Sequence, residues 1–343
     1  MRRPPAKIAV MGAGSWGTTF AKVLADSGAD AGTAVQLWAR RREAADEINR
    51  LHRNERYLGD TPLPPNVTAT TDPAEALSGA SLVVLAVPAQ TLREQLPLFR
   101  GHIEPGAVIV SLMKGLERGT DARMSQVIRE ELGWPEDAVA VVSGPNLALE
   151  IAREEPTASV VACPDRETAA WIAEACTPDY FRPYTNTDLV GAEIGGIVKN
   201  VIALAVGICD GRGMGDNTKA SVITRGLAET TRLALALGGQ LETMSGLAGL
   251  GDLVATCSSP LSRNRTAGRL LGQGLTLAEV AAATTQTAEG IKSGPAVLDL
   301  ARRLGVDMPI TEAVVHVLDG ALTVDDMAAR LLGRELKSEG EKA

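Results

Sequence analysis

The chain has 343 residues, 45% of them hydrophobic and 22% charged, a composition that suits about two globular domains and excludes a disordered chain. Its net charge of −8 argues against a broad nucleic-acid or anionic-membrane surface, so an anionic ligand has to be met by local cations or helix N-termini. The longest charge-free run, Ala76–Leu92, has 17 residues and contains Pro88, short of the ~20 apolar residues of a spanning helix, so no membrane insertion is expected. The four cysteines (Cys163, Cys176, Cys209, Cys257) form no Cys-x-x-Cys, and the three histidines (His52, His102, His316) lie far apart. A cytoplasmic chain with reduced thiols, no metal site and no Ser-His-Asp triad is expected.

Along the first half, short β-rich runs alternate with helical patterns. Lys7–Met11 predicts a strand and Ser15–Ser27 a helix. Val35–Ala39 predicts a second strand, Arg42–His52 a helix, Leu58–Pro65 a loop and Val67–Thr70 a short strand. Ser81–Val87, Ala107–Leu112 and Ala138–Ser143 are continuous apolar runs of the kind buried in parallel sheets, and Ala158–Ala162 and Phe181–Thr185 predict two further strands. From Asp188 to Leu332 no strand pattern occurs. Periodic Ala- and Leu-rich stretches replace it at Leu189–Asp210, Thr218–Leu237, Arg263–Leu271, Leu277–Ala283, Gly290–Leu304 and Ile310–Leu318. A charged tail follows from Gly333. The expected architecture is α/β. A Rossmann-like doubly wound sheet for dinucleotide binding occupies residues 1–187, and an all-helical substrate and catalytic domain occupies 188–343, with a cleft between them as the default ligand site.

Several motifs carry chemistry. Gly12-Ala13-Gly14-Ser15-Trp16-Gly17 follows a strand and opens a helix. Gly12 permits the tight turn, Gly14 lets a pyrophosphate approach the backbone, and Gly17 lets helix and strand pack closely. At the end of the second strand, where an NAD-specific site carries an acidic residue, stand Arg40 and Arg41. Arginines there suit a ribose 2′-phosphate and favour NADP(H), with NAD(H) possible; the alternative is a solvated helix start. Lys114 lies just beyond a strand's carboxyl end, where open α/β sheets bind ligands. Gly144 and Asn146 follow the next strand in the same way, although Asn146 also suits a simple helix cap.

In the helical half, Gly195-Gly196 precede Lys199-Asn200 inside a helix. Mid-helix glycines cost about 1 kcal/mol each relative to alanine, so a nicotinamide ring or a packed helix is expected against them. Lys199 sits among Ile197, Val198, Val201 and Ile202, surroundings that depress an ammonium pKa and suit proton exchange. Gly246–Asp252 reads as a glycine-rich turn that aims Asp252 at a lysine and offsets its desolvation. Ser262-Arg263-Asn264 opens a helix and suits a phosphate site; the alternative is a basic solvated helix face.

Taken in order, these motifs, with Leu63–Val67 and Glu289-Gly290, resemble the bacterial and eukaryotic NAD(P)-dependent glycerol-3-phosphate dehydrogenases, over nearly the whole chain to about Leu332. The resemblance implies reversible reduction of dihydroxyacetone phosphate to sn-glycerol 3-phosphate, supplying glycerophospholipid synthesis. It implies Lys199 as catalytic proton carrier, with Lys114 and Asp252 beside it. Gly144, Asn146, Asn200, Thr256, Ser262, Arg263 and Asn264 are then implied on the substrate side. Ser15, Trp16, Arg40, Arg41, Tyr57, Ala148, Arg263, Thr287 and Glu289 are implied as cofactor contacts, with Lys114 near both. Asn146 departs from the family's usual serine or threonine, and Ala29–Thr33 is an insertion before the second strand. A related 3-hydroxyacid or ketoacid dehydrogenase and a non-catalytic NADP(H) sensor remain alternatives. A homodimer is the expected assembly.

Overall fold

In a computed structural model, which describes residues 3–284 and 288–332, the apolar runs of the first half form one eight-stranded sheet. The strands are β1 (Lys7–Met11), β2 (Ala34–Trp38), β3 (Val67–Thr70), β4 (Leu82–Leu85), β5 (Val108–Ser111), β6 (Val139–Ser143), β7 (Thr157–Ala162) and β8 (Phe181–Asn186), each within two residues of its expected bounds. Their order is β3-β2-β1-β4-β5-β6-β7-β8. All neighbours pair in parallel except β6 and β7, which are antiparallel. The order reverses between β1 and β4, the switch point at which such sheets open a crevice for ligands.

Helices α1 (Ser15–Ser27), α2 (Arg42–Leu51), α3 (Glu55–Leu58), α4 (Pro73–Leu77), α5 (Leu92–Arg100), α6 (Met124–Leu132), α7 (Ala148–Ala152) and α8 (Arg166–Ala175) accompany the sheet. Helix α3 begins three residues before the predicted loop and takes in its first residue, Leu58. Alternate strand residues face opposite sides. Ile8 and Val10 join one core with Phe20 and Phe181, while Ala9 and Met11 join the other with Leu92 and Phe99. Full burial of each such large side chain contributes roughly 1.5–3 kcal/mol.

The remainder is helical: α9 (Leu189–Gly211), α10 (Asp216–Ala236), α11 (Leu241–Ser245), α12 (Asp252–Ser258), α13 (Arg263–Gly272), α14 (Leu277–Ala283), α15 (Glu289–Arg303), α16 (Pro309–Leu318) and α17 (Val324–Leu332). Helix α9 is long and apolar enough to cross a membrane, yet 94% of its most apolar window is buried inside the protein, so packing consumes that surface. The expected glycine-rich turn at Gly246–Asp252 is instead a single π turn, Leu247–Gly251, that runs directly into α12. Its glycines answer close backbone contacts rather than a reversal: a Cβ on Gly249 would lie 2.2 Å from the Met244 carbonyl oxygen.

The chain divides into two compact units, residues 1–114 with 122–193, and 115–121 with 194–343. Asp188–Glu193, expected with the helical half, groups with the sheet. Glu193 accepts from the Ser125 backbone N–H (2.9 Å) and hydroxyl (2.6 Å) at the start of α6 and pairs with Arg123. Residues 115–121 group with the helices, through an Asp121–Arg303 ion pair of 2.8 Å.

One buried carboxyl links this second unit to pH. Glu229 of α10 is 1% exposed and accepts from the backbone N–H groups of Ile310 (2.6 Å) and Thr311 (3.1 Å) at the start of α16. Burial pushes it up to about 7, against those hydrogen bonds. The folded value stands above the unfolded one, so the stabilisation is complete below the ordinary glutamate range and is lost as pH rises through about 7. Glu229→Gln is expected to flatten the decline in unfolding free energy between pH 5 and 8 by on the order of 3 kcal/mol. Parallel urea-unfolding curves for the two proteins across that range would refute it.

Candidate active site

The first unit carries the glycine loop at the sheet's switch point. Gly12 has φ of 133°, and a Cβ there would lie 2.5 Å from the Ala86 carbonyl oxygen just beyond β4. A Cβ on Gly17 would lie 2.0 Å from the Gly12 carbonyl oxygen, whereas one on Gly14 would meet nothing within 4 Å. The loop is packed tightly on its protein side and open where Gly14 faces out. Helix α1 starts at Ser15 with no side-chain cap and no acidic residue in its first turn, so its first amides and dipole remain available to an anion. The Trp16 Nε1 is buried with no hydrogen-bond partner. These features fit a dinucleotide pyrophosphate. Arg40 and Arg41 are exposed beyond β2 and form no ion pair with any described residue, and Tyr57 is half-buried on α3. Thr287 lies outside the described residues.

Lys114, Gly144, Asn146 and Ala148 gather beyond the carboxyl ends of β5 and β6. The antiparallel entry into β7 keeps the whole connection, residues 144–156, at that edge. Lys114 Nζ donates to the Gly144 carbonyl (3.1 Å), and Gly144 has φ of 135°. Asn146 Oδ1 lies 2.9 Å from the Ser159 hydroxyl, while its Nδ2 is buried with no hydrogen-bond partner. Asn146 is not the helix cap that its sequence context also suits, since Leu147 is the N-cap of α7. The Ala148 carbonyl accepts from the Thr19 hydroxyl (3.1 Å), which ties α7 to α1.

The second unit brings Lys199, Asp252 and Thr256 together. Lys199 Nζ donates to Asp252 Oδ1 at 2.5 Å and to Thr256 Oγ1 at 2.7 Å, and the three residues are 8%, 1% and 5% exposed. A buried ammonium is costly unless paired and hydrogen-bonded, and here it is both. At Gly195, the first of the paired glycines, the close approach comes from packed protein: a Cβ there would lie 2.5 Å from the Ala248 carbonyl oxygen. The π turn can therefore lie against α9 and deliver Asp252 to Lys199. Burial pushes the adjacent Cys257 thiol up to about 12, which keeps it protonated and chemically quiet.

A second chain of hydrogen bonds runs from Asn200. Its Oδ1 accepts from Asn264 Nδ2 (2.9 Å), and Asn264 Oδ1 accepts from the Gly290 N–H (2.8 Å). Helices α9, α13 and α15 are thus joined by one buried polar line. Beside it, Glu289 has a buried Oε2 with no hydrogen-bond partner, and burial raises its carboxyl against the pull of Lys292 and Arg263. Arg263 is exposed at the start of α13, and Ser262 caps that helix by accepting from the Arg265 N–H (3.2 Å). Arg265 turns to Asp210 instead (2.8 Å). Among the described residues no group of three or more His, Cys, Asp or Glu is placed to hold a metal ion.

Sequence reasoning missed Asn54. It is wholly buried and occupies the N-cap of α3, but its side chain does not cap. Nδ2 donates instead to the Ala13 carbonyl (3.1 Å) and to the Thr18 hydroxyl oxygen (2.9 Å). The only local signal, an Asn before a short helical run, points to capping.

Comparison with known proteins completes the description. Residues 7–169 match the family model of the NAD-dependent glycerol-3-phosphate dehydrogenase N-terminus, and residues 188–329 that of its C-terminus. The chain is 59% identical over 335 residues to a glycerol-3-phosphate dehydrogenase [NAD(P)+] of Streptomyces griseus, covering 98% of each chain. It is 56% identical over 333 residues to the enzyme of the same name from Thermobifida fusca, covering 97% of this chain and 98% of the relative. The crystal structure of glycerol-3-phosphate dehydrogenase from Coxiella burnetii superposes with a TM-score of 0.89 at 38% identity, over 96% of this chain and 99% of that one.

Proposed function

Because the chain belongs to the NAD-dependent glycerol-3-phosphate dehydrogenase family, we propose that it reduces dihydroxyacetone phosphate reversibly to sn-glycerol 3-phosphate, with NADP(H) favoured, NAD(H) accepted, and glycerophospholipid synthesis supplied. The observation that carries this reading is the buried Lys199–Asp252–Thr256 cluster, an amine held by a carboxylate and a hydroxyl. Residues 1–187 are assigned to dinucleotide binding and residues 188–343 to substrate binding and catalysis. Gly12, Gly14, Ser15, Trp16 and Gly17 would hold the pyrophosphate and Arg40 and Arg41 the 2′-phosphate, with Glu289 a further cofactor contact.

When bound, the reduced nicotinamide supplies a hydride to a carbonyl carbon. Lys199 donates a proton from Nζ to the carbonyl oxygen as negative charge develops there, and accepts it back in the oxidative direction. Asp252 and Thr256 fix Nζ so that the transfer needs no reorganisation. Lys114 adds a second positive charge for the substrate oxygens. Arg263 and the α13 amides hold the phosphate, whose binding energy positions the reacting carbonyl.

The test is near-ultraviolet absorbance of the purified protein with NADPH and dihydroxyacetone phosphate, alongside NADH, unphosphorylated dihydroxyacetone and a panel of 2-oxo acids. Oxidation that requires the phosphate is expected, faster at low cofactor with NADPH than with NADH. Preference for a 2-oxo acid would overturn the substrate, and binding without turnover would overturn the activity. Arg263→Ala is expected to raise KM for dihydroxyacetone phosphate by roughly tenfold or more, the worth of a charge-assisted phosphate contact, with a smaller change in kcat. An unchanged KM would remove Arg263 from the phosphate site. The proposal includes a cytoplasmic location and a homodimer, the latter read directly by light scattering.

A further inference from the structure

We infer that Asn54 is a positioning residue for the dinucleotide pyrophosphate, acting by holding the Ala13 carbonyl and so aiming the Gly14 N–H; the inference rests on the proposed dinucleotide site. A trans peptide is planar, and its C=O and N–H point in opposite directions. Asn54 Nδ2 holds the Ala13 oxygen at 3.1 Å, so the Gly14 N–H of the same peptide faces away from Asn54. Among the described residues that N–H has no hydrogen-bond partner, and a Cβ on Gly14 would meet nothing within 4 Å. The free amide and the open space coincide at one residue, which is what an incoming anion needs. Without Asn54 the same peptide is free to rotate. It would then present a carbonyl oxygen where phosphate oxygens are to bind, exchanging attraction for repulsion.

The setting of Asn54 fits this role better than a general packing role. The residue is wholly buried, and both hydrogens of Nδ2 are committed, the second to Thr18 Oγ1 at 2.9 Å. The Ala13 carbonyl can only accept, which fixes the amide orientation. Oδ1 then remains buried with no hydrogen-bond partner, a costly arrangement for a residue that merely filled space. An apolar side chain of similar size would pack there without that penalty, but would leave the Ala13 peptide unheld.

Asn54→Asp and Asn54→Ala in the full-length protein test this. Asp sets a carboxylate against the Ala13 carbonyl, and Ala removes the donor. Both are expected to raise KM for NADPH and for NADH by about tenfold or more, the worth of a lost oriented contact to a charged ligand. KM for dihydroxyacetone phosphate and kcat at saturating NADPH should stay within about twofold, since neither depends on the loop amide. As a second readout, the inhibition constant of 2′-AMP, which carries the 2′-phosphate but no pyrophosphate, should be unchanged. An unaltered NADPH KM would overturn the inference, as would equal weakening of NADPH and 2′-AMP, the signature of a generally disturbed domain. Failure of both variants to fold, read by thermal melting, would also overturn it by making Asn54 a support of the fold. Wild-type protein and Gly12→Val are run alongside. Wild-type protein that does not bind NADPH, or Gly12→Val that folds and still binds it, would instead mark failure of the dinucleotide site itself.

Discussion

Lys199→Met is expected to lower kcat by roughly 10²–10⁴ while NADPH binding persists, the range for removal of a positioned general acid. Methionine replaces the unbranched stem of lysine, one heavy atom shorter, and carries no transferable proton. The substitution also removes the ammonium that lies 2.5 Å from Asp252, a carboxylate only 1% exposed. Breaking a buried ion pair costs about 3–5 kcal/mol, so the single variant confounds lost chemistry with lost stability. Lys199→Met combined with Asp252→Asn separates them. The double variant removes the carboxylate charge as well and should recover much of the stability in urea unfolding, yet none of the turnover. Lys199→Arg keeps the positive charge but scarcely releases its proton, so it too should be slow. Near-wild-type turnover in Lys199→Met, or rescue by Asp252→Asn, would take proton transfer away from Lys199.

That the sequence exposes Lys199 and not its full surroundings has a physical basis. Strands buried on both faces must be continuous apolar runs, so β4, β5 and β6 are visible in composition alone. The fingerprint Gly12–Gly17 is visible because close approaches at Gly12 and Gly17 each demand glycine at fixed spacing, while Gly14 leaves the space over the loop open. The reversal of β7 is not visible, because the same apolar run suits either direction. Its consequence is to keep Gly144, Asn146 and Ala148 at one edge of the sheet. The π turn is equally hidden. Gly246–Gly251 has a loop's composition, and only the contacts at Gly195 and Gly249 show that its glycines serve helix packing. Asn54 is the extreme case: its partners Ala13 and Thr18 lie 41 and 36 positions away, and local sequence suggests nothing beyond a cap.

The same logic makes Gly268→Ala a severe test of the second unit. Helices α9 and α13 meet backbone to backbone. Added Cβ atoms on Gly207, Gly211, Gly268 and Gly272 would lie 2.2, 2.1, 2.1 and 2.4 Å from carbonyl oxygens of Arg265, Arg269, Leu204 and Ile208. None of those oxygens is the end of a flexible side chain, so the helices themselves must part. Each mid-helix glycine forfeits about 1 kcal/mol of helix propensity, a loss that the close packing offsets. Gly268→Ala recovers that propensity but forces the separation, and a net destabilisation of roughly 1–3 kcal/mol is expected from overpacking. The effect should reach the site. Asn264 lies four residues before Gly268, one turn away on α13, and its 2.9 Å bond to Asn200 depends on the spacing of these helices. Lower kcat should therefore accompany lower stability in Gly268→Ala, and more steeply in Gly268→Val. A Gly268→Ala protein as stable as wild type in urea would mean that the two helices part freely. The Asn200–Asn264–Gly290 line would then owe its geometry to something other than this glycine contact.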